Sequence, residues 1–105
     1  MQKVISEIKQ RELAKGIKGR YFHTNAMTIG FVDIEKGAIL PAHSHVHEQT
    51  TQIIEGQLEM TIDGVTQILE PGTITLIPSN VIHGANALTD CKVVDIFCPV
   101  REDYR

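Results

Sequence analysis

QLEMTIDGVTQIL, residues 57–69, alternates apolar Leu58, Met60 and Ile62 with polar neighbours, breaks at Asp63-Gly64, and resumes as a second apolar run. A period of two places each set on one face of a strand, and Asp-Gly supplies the positive φ that both central positions of a two-residue turn need. The stretch predicts a β-hairpin. Working outward, the same punctuation continues: MTIGFVDI, EKG, AIL and PAHSH lie before it, and EPG, TITLIP and SN after it. Gly72 and Asn80 are the residues of those later turns best able to take left-handed conformations. A last run, CKVVDIFCPV, stops at Pro99. About eight short strands with few helices predict an all-β, closed or sandwiched antiparallel barrel. Residues 1–25 are expected to form an N-terminal arm of the same domain and 26–105 the barrel, with the first 20 residues compatible with either an extended arm or a short helical turn.

The chain has 105 residues, enough for one domain, with a formal charge of −3 and no block of Lys or Arg. Nucleic acid and acidic membranes are therefore not expected partners. The opening MQKVISEIKQRELAKG scatters charges and has no apolar run, so neither a signal peptide nor a membrane span is read there, and a cytoplasmic location is expected. The two cysteines, Cys91 and Cys98, are too few to staple a secreted scaffold and lack chelating spacing. A barrel this small has exposed edges that a second copy would cover, so a homodimer is expected.

HSHVHEQ, residues 43–49, holds three of the five histidines. On a strand His43 and His45 share a face and offer two imidazole nitrogens to one ion. Gln49 keeps that parity, with His47 and Glu48 as competitors for the third place. His83, after the turn at Pro78 and Asn80, is a fourth candidate. A histidine-rich surface loop is the plain alternative. Elsewhere, His23 reads as a surface residue, and Met27 and Met60 as packing.

Gly37-x5-His43-x-His45-x3-Gln49-x6-Gly56 resembles the first motif of the cupin superfamily with Gln for the usual Glu, and Gly72-x5-Pro78-x-Asn80-x2-His83 resembles the second with Asn80 for Gly. The resemblance runs from about residue 26 to the end and implies a single-domain, conical antiparallel β-barrel of jelly-roll type. It also implies one divalent transition metal (Ni, Zn, Fe, Mn or Co) on His43, His45, Gln49 and His83. Such neutral ligands leave the ion its full charge as a Lewis acid and support a trivalent state less well, which weighs against a dioxygenase. Four protein ligands on an octahedral ion leave two positions for a bidentate acid.

In VVDIFCPVREDY, Asp95 and Phe97 share one strand face and Arg101 follows Pro99. A solvent-facing Asp and a plain surface Arg are the alternatives to an interior acid and a carboxylate grip. The terminal D-x-F-x-P-x-R-E-D-Y, taken with the two motifs, is similar to the small cupins of the pectin degradation protein KdgF type. That resemblance implies ring opening and tautomerisation of 4,5-unsaturated monouronates to the linear 4-deoxy-5-keto form. A small carboxylated sugar would be the partner and Asp95, Phe97 and Arg101 the catalytic residues. A metal-dependent dioxygenase and a non-catalytic acid- or sugar-binding cupin are the alternatives.

Overall fold

The computed structural model describes residues 1–105, with strands β1 (Arg11–Ala14), β2 (Ile17–His23), β3 (Thr28–Ile34), β4 (Ile39–His43), β5 (Glu48–Glu55), β6 (Leu58–Ile62), β7 (Val65–Leu69), β8 (Ile74–Ile77), β9 (His83–Ala87) and β10 (Cys91–Cys98). The hairpin expected at residues 57–69 is β6–β7, with Ile62 opposite Val65. Asp63 and Gly64 take φ of 49° and 77°, the left-handed pair that a turn matching the sheet twist needs.

The strands form two antiparallel sheets in the orders β1-β2-β3-β10-β5-β8 and β4-β9-β6-β7. No ladder joins them, so the cupin jelly roll is a sandwich of two facing sheets. Their inner faces meet in a core that includes Ile17, Val32, Ile53, Leu58, Met60 and Val93. Burying each such side chain stabilises the fold by about 1.5–3 kcal/mol. No helix is long and apolar enough to cross a membrane; the only helices are 3₁₀ turns at Ile5–Glu7 and Glu102–Tyr104.

There are ten strands rather than about eight. The difference lies in the segment read as an arm, where β1 and β2 form a hairpin that extends the larger sheet beside β3. Ile17, Gly19 and Tyr21 share the inner face of β2, and a glycine and a phenol in place of aliphatic residues hid the alternation. The Lys15-Gly16 bend, with Gly16 at φ 79°, separates the two strands.

Strand register sets the site. β10 lies between β3 and β5, with Phe97 opposite Thr28 and Gln49, and Asp95 opposite Gly30 and Thr51. On the other sheet His43 of β4 is directly opposite His83 of β9.

Gly56, the last glycine of the first motif, bends the chain from β5 into β6 at φ 89°, and a Cβ there would stand 2.2 Å from the Asp90 carbonyl oxygen. Gly64 is also left-handed but has nothing within 4 Å of such a Cβ. Gly64→Ala should therefore cost only backbone strain, about 1–2 kcal/mol, whereas Gly56→Ala should cost about 3 kcal/mol or more because the crossing itself must move. Urea denaturation measures both, and equal losses would contradict this placement.

Candidate metal centre and active site

His43 ends β4, His83 begins β9, and His45 lies between β4 and β5 rather than on a strand beside His43. Shared strand parity is thus not what aligns His43 with His45. The loop is held instead by the Asn80 N–H, which donates to the His45 carbonyl at 2.8 Å from a left-handed residue at φ 65°. Asn80 in the motif-glycine position takes the conformation that glycine would, and ties the two motifs together.

Each imidazole is oriented by a backbone carbonyl two residues away. The Nδ1 atoms of His43, His45 and His83 lie 2.8, 2.9 and 2.9 Å from the carbonyl oxygens of Pro41, His47 and Val81. A carbonyl only accepts, so each Nδ1 is the protonated nitrogen and each Nε2 carries a free lone pair. Ligand atoms of the three rings lie within 4.8 Å of one another. Burial lowers the pKa of both His45 and His83, which favours neutral rings. The His83 Nε2 is buried without a hydrogen-bond partner.

Gln49 enters this cluster from the opposite sheet. Its amide nitrogen donates to Thr51 Oγ1 at 3.0 Å, and that hydroxyl donates to Asp95 Oδ1 at 2.7 Å. The chain of donors leaves Gln49 Oε1 facing the histidines, 3.1 Å from His45 Nε2. With the His45 proton on Nδ1, two acceptors face each other, an arrangement that a cation between them would relieve. The donor set therefore fits a divalent ion of the borderline type that imidazole suits.

His47 and Glu48 are not in the cluster. The group whose ligand atoms come together is His43, His45 and His83, while His47 orients His45 through its carbonyl and Glu48 is exposed. His23 is not the plain surface residue expected, since Nδ1 bonds Thr28 Oγ1 at 2.8 Å and Nε2 the Tyr104 carbonyl at 3.1 Å. Cys91 is buried and Cys98 exposed, both as free thiols.

Asp95 and Phe97 point inward with His43, His45 and Gln49 around one cavity of about 60 Å³. Desolvation raises the Asp95 pKa to about 6, although the hydrogen bonds from Thr51 and Gln49 and the charge of Arg101 act the other way. The buried Phe97 ring lies edge-on to His45 with centroids 5.8 Å apart. Arg101 is buried and borders the cavity rather than standing free at the mouth. Its Nε and Nη2 donate to Asp103 at 3.0 and 2.8 Å, and its guanidinium lies 4.0 Å above the Tyr104 ring centre. Asp103 thus occupies one fork of the guanidinium and leaves the Nη1 donors. Thr51, Tyr21 and Tyr104 also line the cavity; Tyr104 closes the terminal motif but was given no role, and Thr51 and Tyr21 had no local sequence signal.

Comparison with known proteins agrees with this geometry. The cupin domain model matches residues 30–97. The chain belongs to the cupin family. It is 32% identical over 101 residues to the pectin degradation protein KdgF of Dickeya dadantii (strain 3937), covering 93% of this cupin and 92% of that protein. The structure of KdgF from Halomonas sp. superposes with a TM-score of 0.90 at 30% identity, covering 97% of this chain and 96% of that one. An RmlC-like cupin from Shewanella frigidimarina superposes with a TM-score of 0.92 at 27% identity, over 98% and 94% of the two chains.

The Asp95 shift fixes a pH dependence of stability in the chelator-treated protein. Because the folded pKa lies above the unfolded one, the folded state holds the proton more tightly, and stability falls as pH rises from about 4 through about 6. Asp95→Asn removes that loss. It should stabilise the protein by about 2–3 kcal/mol above pH 6 and by little near pH 4. Urea midpoints at the two pH values check this, and an equal gain at both would contradict it.

Proposed function

We propose that this cupin opens and tautomerises 4,5-unsaturated monouronates to the linear 4-deoxy-5-keto form, using a divalent metal on His43, His45, Gln49 and His83. The observation that carries the reading is the placement of a carboxyl with a pKa of about 6, Asp95, on the same cavity as His43, His45 and Gln49. The similarity to KdgF proteins supplies the substrate class.

The reaction is an isomerisation. The C1–O5 bond of the hemiacetal breaks, the anomeric hydroxyl loses its proton to give the aldehyde, and a proton arrives at carbon 4 as the enol at carbon 5 becomes a ketone. A bound divalent ion would supply Lewis acidity toward the carboxylate and ring oxygen, where negative charge develops. Asp95 delivers the proton to carbon 4, and its pKa suits both giving and regaining a proton near neutrality. Thr51 aims the Asp95 carboxyl while the same hydroxyl fixes the Gln49 amide. Phe97 walls the sugar face. The Arg101 guanidinium, held by Asp103, directs its remaining donors at the substrate carboxylate.

A proton NMR time course with unsaturated galacturonate, and with the corresponding alginate-derived monomer, tests this reading against the uncatalysed opening. Metal-loaded protein should accelerate appearance of the linear keto form, chelator-treated protein should not, and Asp95→Asn should lose about 10²-fold or more. Full activity of Asp95→Asn with metal bound would remove Asp95 from the mechanism.

A second copy of the chain is the partner we propose for the outer face of the six-stranded sheet. Ile54, Ile74, Leu76 and Ile96 are 46, 66, 52 and 37% exposed there on adjacent strands. The outward-facing Val94 and Phe31 continue this apolar strip across β10 and β3. Thr50 and Gln52 of β5 lie between these residues, and a second copy would cover the apolar side chains on either side of them. Light scattering after size exclusion should give a dimer for the native chain and a monomer for Leu76→Lys/Ile96→Lys; a monomeric native chain would overturn this.

A further inference from the structure

The cavity below the histidines holds a buried, unpartnered phenol that the proposed chemistry does not use. Tyr21 is 7% exposed, and its hydroxyl is buried without a hydrogen-bond partner. Burial pushes the phenol well above its ordinary pKa, so it remains a donor at neutral pH.

The sheet is built to receive this ring. Tyr21 is opposite Gly30, and Gly30 is opposite Asp95, so a residue without a side chain separates the phenol from the acid on the inner face. A Cβ on Gly30 would stand 2.6 Å from Tyr21 Cε1, and one on Gly19 would stand 2.5 Å from the Tyr21 hydroxyl oxygen. Neither glycine has a positive φ, so space rather than backbone conformation calls for glycine at both. The Tyr104 ring packs on Tyr21 with centroids 4.7 Å apart, fixing it from the other side. The ring therefore lies along the sheet with its hydroxyl over Gly19, one pleat deeper than Asp95. Leu13, Ile17, Val32, Leu40 and Met60 line the cavity with it. An unpartnered hydroxyl costs free energy among such groups unless something polar reaches it.

We propose that Tyr21 is a specificity residue whose hydroxyl hydrogen-bonds a hydroxyl oxygen of a polyhydroxylated acid, while the acid end of that ligand lies at the histidine cluster. The inference rests on the reading that a sugar acid occupies this cavity, and not on its being turned over. The contact selects acids that carry hydroxyl groups over apolar acids of similar size, because only the former partner the buried phenol.

Calorimetry on the nickel-loaded full chain tests this, with galacturonate and hydroxyl-free tetrahydropyran-2-carboxylate as probes. Tyr21→Phe should weaken galacturonate binding about tenfold, equivalent to about 1.4 kcal/mol, and leave tetrahydropyran-2-carboxylate unchanged. Its melting temperature should not fall, since the hydroxyl it removes has no partner within the protein. Equal effects on both probes, no effect on either, or no binding of galacturonate by the native chain would overturn the proposal. A selective loss of galacturonate binding in a protein that fails to open unsaturated uronates would keep Tyr21 as a specificity residue and remove the proposed reaction.

Discussion

Three backbone carbonyls, those of Pro41, His47 and Val81, determine what this molecule can do. By accepting a hydrogen bond from Nδ1 of His43, His45 and His83, they fix each tautomer and turn three Nε2 lone pairs toward one point. Free imidazoles would sample both tautomers and many rotamers, and assembling a binding site from them would cost that freedom at the moment of binding. Here the cost is met in folding, because each carbonyl lies only two residues from its histidine. The local turns at both motifs are thus the orienting groups.

The rest of the structure serves to bring two other features to that point. Gln49 arrives from the opposite sheet, and its amide direction is set by Thr51, which also holds Asp95. One hydroxyl therefore links a ligand candidate to the acid, across the β5–β10 pairing that places Thr51 opposite Asp95. A one-residue slip of β10 would turn Asp95 and Phe97 to the outer face, and one of β5 would do the same to Gln49 and Thr51. The buried neighbours Ile53 and Val93 on the same faces oppose either slip, so core packing and site geometry stabilise one another.

Much of this was legible where the signal is local. Asp63-Gly64 carries its hairpin in its own backbone preferences, and the resemblance of the two motifs to those of cupins implied His43, His45, Gln49 and His83 as a group, of which the structure clusters the three histidines. Asn80 was readable as a left-handed residue, though not as the clamp on the His45 carbonyl. What was hidden depends on pairing between distant segments. Thr51 resembles any strand threonine until β10 is laid beside it, and Tyr21 and Gly19 blur the alternation that would have marked β2 as a strand. Arg101 was read as a carboxylate grip or a plain surface arginine, but the 3₁₀ turn that follows it brings Asp103 back onto its buried guanidinium. His23 was read as exposed for the same reason: both its partners, Thr28 and the Tyr104 carbonyl, are set by tertiary packing.

The most direct measurement of the orienting bonds is a long-range proton–nitrogen NMR correlation of the five histidines at mildly alkaline pH, first without metal and then with one equivalent of zinc. His43, His45 and His83 should carry their proton on Nδ1 before metal is added, and zinc should shift their Nε2 resonances while leaving the Nδ1 protons in place. Nε2-protonated rings in the metal-free protein, or a zinc response confined to His23 or His47, would contradict the claim that backbone carbonyls preset these three side chains to hold a cation.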